Sequence, residues 1–243
     1  LNDMTLLGVG SQGLVGTAGG TTTTLGRIGT GYIYADWNGQ IAYTTPNMNG
    51  LSLTLGVMQP WNSTASSAIS DTSTGSTDTF GFQGQGSYSW TGDFAGKVWA
   101  GFFSQEVTGQ AAGGSEDAQA FEAGVSTSIY NINLVAYGYS GEGVGTTALL
   151  RDGFDATGSK RDSDGGYVQA TYVIPTGTKL GVSYGVSKLD DNAADAGDAL
   201  VKENEMLTVG AYHPLTKHLN LVAEYSHVEA TAHDTVSDAE SDI

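Results

Sequence analysis

Apolar and polar residues alternate along much of this chain with the two-residue period of a β-strand, whose side chains point to opposite faces in turn. In LSLTLGV (51–57), Leu51, Leu53, Leu55 and Val57 oppose Ser52, Thr54 and Gly56. TFGFQGQGSYSW (79–90) sets Phe80, Phe82, Tyr88 and Trp90 against Gln83, Gln85 and two serines. FEAGVSTSI (121–129), YVQATYVI (167–174) and KLGVSYGVSKL (179–189) repeat the pattern; LTVGAYH (207–213) and LNLVAEYSHV (219–228) follow it less regularly. Residues 98–103 and 132–139 are apolar at both parities, so alternation leaves their faces unassigned.

Turn signals divide these runs. They fall at Asn49-Gly50, Thr91-Gly92-Asp93, Tyr130-Asn131, Thr176-Gly177 and Thr216-Lys217, spaced 39 to 46 residues apart. Each interval holds two long strands and one long polar loop, which describes consecutive hairpins of an up-and-down antiparallel barrel. A β-propeller has a similar period, but it uses four short strands per blade. The fold class expected is all-β, with about ten strands and long loops at 62–78, 106–117, 141–165 and 190–205. A soluble sandwich and a transmembrane barrel share this alternation. Strand length and one-sided loops favour the barrel, with the apolar face toward lipid. Tyr43, Trp61, Trp90, Tyr130, Tyr172 and Tyr225 near strand ends are candidates for interfacial girdles.

Composition narrows the picture. The 243 residues include 36 glycines, four prolines and no cysteine, which excludes disulfides and thiolate metal sites. A net charge of −17 disfavours nucleic acid, whose phosphates need Lys and Arg. No apolar run reaches the length of a transmembrane helix, a criterion that does not apply to barrel strands of about 9 to 11 residues. The expected loops and the tail 229–243 hold 21 of the 26 acidic residues, whereas Lys97, Lys179 and Lys217 lie near the short turns.

Chemical motifs are weak against this background. Gly181-Val182-Ser183-Tyr184-Gly185 fits the G-x-S-x-G nucleophile elbow, which requires a sharp turn at the serine and a helix after it. Alternation instead runs on through Ser187, so Ser183 reads as a wall residue. Gly8–Gly13 with Asp36 matches the dinucleotide fingerprint, yet a Gly/Thr-rich stretch follows where a helix is needed. The acidic runs 161–166 and 189–198 lack EF-hand spacing. The four histidines, His213, His218, His227 and His233, lack zincin spacing. No cofactor, metal site or enzymatic reaction is expected.

NGQIAYTTPNMNGLSLTLGV (38–57) resembles the strand-turn-strand segment after the third loop of the general Gram-negative outer-membrane porins, through Ile41, Tyr43, Thr45, Pro46 and Gly50. LNDMTLLGVG (1–10) is similar to part of that loop, which in the family folds inward and narrows the pore. The family often has arginine where this chain has Ala42. The resemblance implies a bacterial outer-membrane barrel of sixteen strands, of which this chain would be an incomplete segment, with residues 1–27 as the inward constriction loop and 28–243 as hairpins. It also implies a homotrimer embedded in lipid and lipopolysaccharide, whose phosphates divalent cations could bridge to the acidic loops. Asp3 and Arg27 become constriction candidates on that basis. Parity alone nominates Gln40, Gln83, Gln85, Glu122, Gln169 and Glu224 as pore-lining residues. The expected function is passive diffusion of ions and small hydrophilic solutes, with cation preference from the acidic rim. The alternatives are a substrate-specific channel, a non-channel surface β-protein such as an adhesin, and a serine hydrolase acting through Ser183.

Overall fold

A computed structural model of the chain describes residues 2–6, 26–35, 37–62, 79–108, 114–195, 200–233 and 239–242. The dinucleotide-like stretch 8–13, Asp36 and nearly all of the expected loop 62–78 lie outside them. Within them the chain forms one antiparallel sheet in which every strand pairs with its neighbours in sequence. The strands are β1 (Gln40–Thr44), β2 (Leu51–Met58), β3 (Gly81–Trp90), β4 (Phe94–Thr108), β5 (Ser115–Ile129) and β6 (Ile132–Glu142). They continue as β7 (Asp162–Val173), β8 (Lys179–Leu189), β9 (Val201–Thr216), β10 (Leu219–Ala232) and β11 (Ala239–Asp242). Among the described residues the one helical element is a 3₁₀ turn at Ala193–Asp195.

The short connections fall where the turn signals predict them. Asn49 and Gly50 adopt φ of 55° and 100°, the left-handed region that an Asn-Gly pair enters easily. Gly50 also has no room for a side chain, because a Cβ there would collide with the Ser89 carbonyl. Tyr130 takes φ of 51° without being glycine, in the two-residue turn between β5 and β6.

The strands run farther than expected. β4 and β5 absorb 106–108 and 115–117, with Glu106 opposite Asp117. The loop after β6 shrinks to 143–161, and β9 begins at Val201. The reason is burial: Val107 and Ala118 at the end of the β4–β5 hairpin pack under Val144, Leu150 and Phe154 of the 143–161 loop, all nearly inaccessible. The tail is likewise not all loop. β10 reaches Ala232, and β11 pairs with it from His227–Asp242 to Ala230–Ala239, giving eleven strands in place of ten.

Register separates two faces. One row across the sheet reads Leu51, Tyr88, Val98, Val125, Ala136, Val168, Tyr184, Leu207. Its large apolar members are exposed, as are Leu53, Leu55, Phe82 and Phe102 on the same face. So continuous an apolar band is what a barrel turns toward lipid. Toward the loop end this face becomes polar, with Asp164, Lys188 and Glu203 in register.

The opposite face is covered by residues 2–6 and 26–35 and is called inner here. Its covering explains the two unassigned stretches. Val98 and Phe102 point outward, whereas Trp99 and Phe103 point inward. Leu134 points outward, and Val135, Tyr137 and Tyr139 inward. Trp99, Val135 and Tyr167 form an apolar cluster against Tyr32 of the covering segment. Trp61, a girdle candidate, also packs inward against the Val107 cluster, with Gln105 bonded to its backbone at 2.8 and 2.9 Å.

Candidate functional site

All six parity-nominated residues lie on the inner face, where they form two groups. The first stands on β1 to β5. Gln83 Nε2 donates to Gln40 Oε1 at 2.6 Å, and Gln85 Nε2 donates to Glu122 Oε1 at 3.0 Å. Tyr137 Oη donates to the other Glu122 oxygen at 2.8 Å. These side chains stay half-buried or exposed.

The second group holds the covering segment against β7 to β10. Gln169 accepts from the Met4 amide at 2.7 Å and donates to the Asn2 carbonyl at 2.9 Å. Glu224 accepts from the Leu6 amide at 2.8 Å and from the Tyr212 hydroxyl. Gln169 is buried by this contact, so it acts as a docking post rather than a solvated wall residue.

The two constriction candidates, Asp3 and Arg27, lie against each other, and Arg27 does not face water. The Arg27 side chain is fully buried, with Nε 3.9 Å from Asp3 Oδ1. Its Nη1 donates to the Met206 carbonyl at 2.8 Å and its Nη2 to the Ser183 carbonyl at 2.6 Å. Burial pushes its pKa down, with Asp3 opposing that shift. Asp3 also accepts from the Tyr32 hydroxyl at 3.0 Å and the Arg27 amide at 3.1 Å. Gly26 lets this cluster close, since a Cβ would press on both Asp3 and Tyr32.

The G-x-S-x-G stretch is the footprint of that segment. β8 runs unbroken through Ser183, so no elbow exists. A Cβ at Gly181 would collide with the Met4 sulphur, and one at Gly185 with the Thr30 carbonyl. Ser187 Oγ accepts from the Gly31 amide at 3.0 Å. Ser183 itself is buried, and its hydroxyl finds no hydrogen-bond partner among the described residues, histidine included.

The segment also pairs with the 143–161 loop, called the outer loop below for its expected position. Tyr34 exchanges backbone hydrogen bonds with Thr147 and Leu149 at 2.8 and 3.0 Å. That loop is closed by a bidentate pair, Arg161 Nε and Nη2 to Asp195 at 2.9 and 2.6 Å, both side chains nearly inaccessible. Arg161 also donates to the Asp152 and Phe154 carbonyls. The two acidic runs are therefore joined by an ion pair rather than being uniformly free charge. Burial works against the Asp155 charge, but hydrogen bonds from Thr157, Ser159 and Asn192 outweigh it and hold its pKa below the ordinary value.

Among the described residues no cluster of three or more acidic or histidine side chains could hold a metal ion. His213 meets Thr178, His227 meets Asp242, and His233 meets Asp191. Sequence reasoning missed Tyr137 and Tyr212, the donors to Glu122 and Glu224, and Tyr32, which ties Asp3. Tyr167 shares parity with Gln169, so its inward direction was available.

The family described as Gram-negative porin matches residues 2–233. The outer membrane channel DcaP of Acinetobacter baumannii is similar in fold, with a TM-score of 0.76 at 14% identity, covering 96% of this chain and 67% of that one. An anion-selective porin from Comamonas acidovorans gives 0.55 at 15% identity, covering 84% of this chain and 53% of that one. The chain thus spans about two thirds of the first and about half of the second. No curated protein matches it.

Proposed function

This chain belongs to the Gram-negative porin family, an outer-membrane family, and on that premise we propose that it forms a water-filled channel for passive diffusion of ions and small hydrophilic solutes. The observation that carries the reading is the pairing of an exposed apolar face with an inner face of amides and carboxylates. Such a wall replaces part of a passing solute's hydration shell.

The proposed channel prefers cations. Glu122 meets the lumen with only neutral donors, whereas Arg27 is enclosed behind the segment that it anchors. Lys97 and Lys179 lie over Trp99 and Tyr212 on the inner face near the short turns, and they oppose the effect there. The Comamonas porin is described as anion-selective, the opposite sign, so the reversal potential decides the matter. In a planar bilayer under a KCl gradient, the potential should favour potassium. A potential favouring chloride would sink cation preference and leave the channel.

Three structural proposals accompany this reading. Residues 1–27 serve as the constriction, supported by the docking of 2–6 and 26–27 on the inner wall. The strands belong to a closed barrel of sixteen, since open edges leave backbone groups without partners in lipid. The assembly is a trimer, and carboxylates at the loop end, such as Glu203 and Glu205, meet lipopolysaccharide through divalent cations.

A further inference from the structure

Above β2 to β6 the inner wall holds a hollow of about 400 Å³, roofed by Ile33 of the docked segment and Leu149 of the outer loop. That volume lies within the range of small-molecule sites. On the channel reading given above, we propose that this hollow is a solute-binding subsite for an organic monocation with an aromatic or alkyl body.

The placement of the Glu122 carboxylate in this hollow depends on one glycine of β4. Gly101 is that residue: a Cβ there would lie 2.9 Å from Glu122 Oε1. Without it, the Glu122 side chain lies flat across β4 and reaches Gln85 on β3. The carboxylate is then fixed from both sides, by Gln85 at 3.0 Å and Tyr137 at 2.8 Å.

Both donors are neutral. Among the described residues no Lys, Arg or His comes within ion-pairing distance of Glu122. A half-buried, oriented carboxylate without a counter-charge attracts a cationic donor more strongly than a freely hydrated one does. Beside it, Phe103, Ile33 and Leu149 present apolar surface, and Gln83 presents an amide. The hollow thus offers one negative acceptor at a fixed point and a greasy wall next to it. An anion is repelled, and a bare metal ion lacks a ligand set among the described residues. A primary ammonium on a ring or alkyl chain fits both halves.

Benzylammonium is the probe, added to the intact protein in a planar bilayer while potassium current is recorded. Block should saturate, at a concentration about tenfold lower than for methylammonium, and benzoate should not block. Glu122→Gln keeps the side-chain shape and should raise the half-blocking concentration about tenfold. Phe103→Ala should weaken block by benzylammonium more than block by methylammonium. If a variant fails to fold, the three probes on the unaltered protein still decide. A conducting channel that ignores benzylammonium, is blocked equally by benzoate, or keeps full block in Glu122→Gln overturns the subsite alone. A silent bilayer overturns the channel reading, and the subsite with it.

Discussion

Arg27 Nη2 donates to the backbone carbonyl of Ser183 across 2.6 Å, linking residues 156 positions apart. That contact reassigns both residues. Ser183 belongs to a docking surface, in which Gly181, Gly185 and Ser187 also receive the segment. Arg27 is an anchor rather than a charge exposed to passing ions. Gly185→Val would press a side chain into Thr30, at an overpacking cost of about 1–3 kcal/mol. The segment should lift, raising single-channel conductance and current noise. Unchanged conductance would show that the segment does not narrow the pore.

Arg27→Met keeps much of the side-chain volume and removes the donors. It removes two charge-assisted hydrogen bonds to the Met206 and Ser183 carbonyls, at about 1.5–3 kcal/mol each. The unfolding midpoint in detergent should fall, and the segment should become accessible to protease. If only ion selectivity changed, Arg27 would have to face the lumen after all.

The outer loop depends on Arg161 and Asp195. Asp195→Ala strands a buried guanidinium, and breaking such a pair costs about 3–5 kcal/mol. Limited proteolysis should then cut within 143–161 well before the strands. Replacing both residues by apolar ones of similar volume should recover much of the loss.

Asp155 gives the loop a pH limit. Its folded pKa lies below the ordinary value of 3.8, so its contribution is present above that value and is lost as pH falls through the folded pKa. Amide exchange at Thr157 and Ser159 should stay slow, relative to the intrinsic rate, from neutral pH down to the ordinary carboxylate range. It should accelerate below it. Asp155→Asn should remove the acid step; a step that persists would assign it to another carboxylate.

What could be read from the sequence follows from what is local. Strand parity depends on neighbours two positions apart, so Leu53 and Leu55 outward and Gln83, Gln85, Glu122, Gln169 and Glu224 inward were legible. Turn positions at Asn49-Gly50 and Thr176-Gly177 rest on backbone preference alone and were legible too. The covering of the inner face was not. It joins Met4 to Gln169 across 165 positions, and it makes Trp99 and Val135 apolar on a face that alternation expects to be polar. The same long-range packing turned Trp61 inward and drew the ends of β4 and β5 up under the 143–161 loop.

The face assignment carries the whole account, and a chain without cysteine allows a direct test of it. Gln85 lies opposite Thr54 on the inner face, and Leu55 is the next residue along β2, pointing outward. Gln85→Cys and Leu55→Cys, in the intact protein in a bilayer, would be exposed to a charged, membrane-impermeant thiosulfonate. With Gln85 inward and Leu55 outward, the cysteine at 85 should be modified with a stepwise fall in conductance, and the cysteine at 55 should not react. Equal reaction at both positions, or reaction at 55 alone, would contradict that assignment.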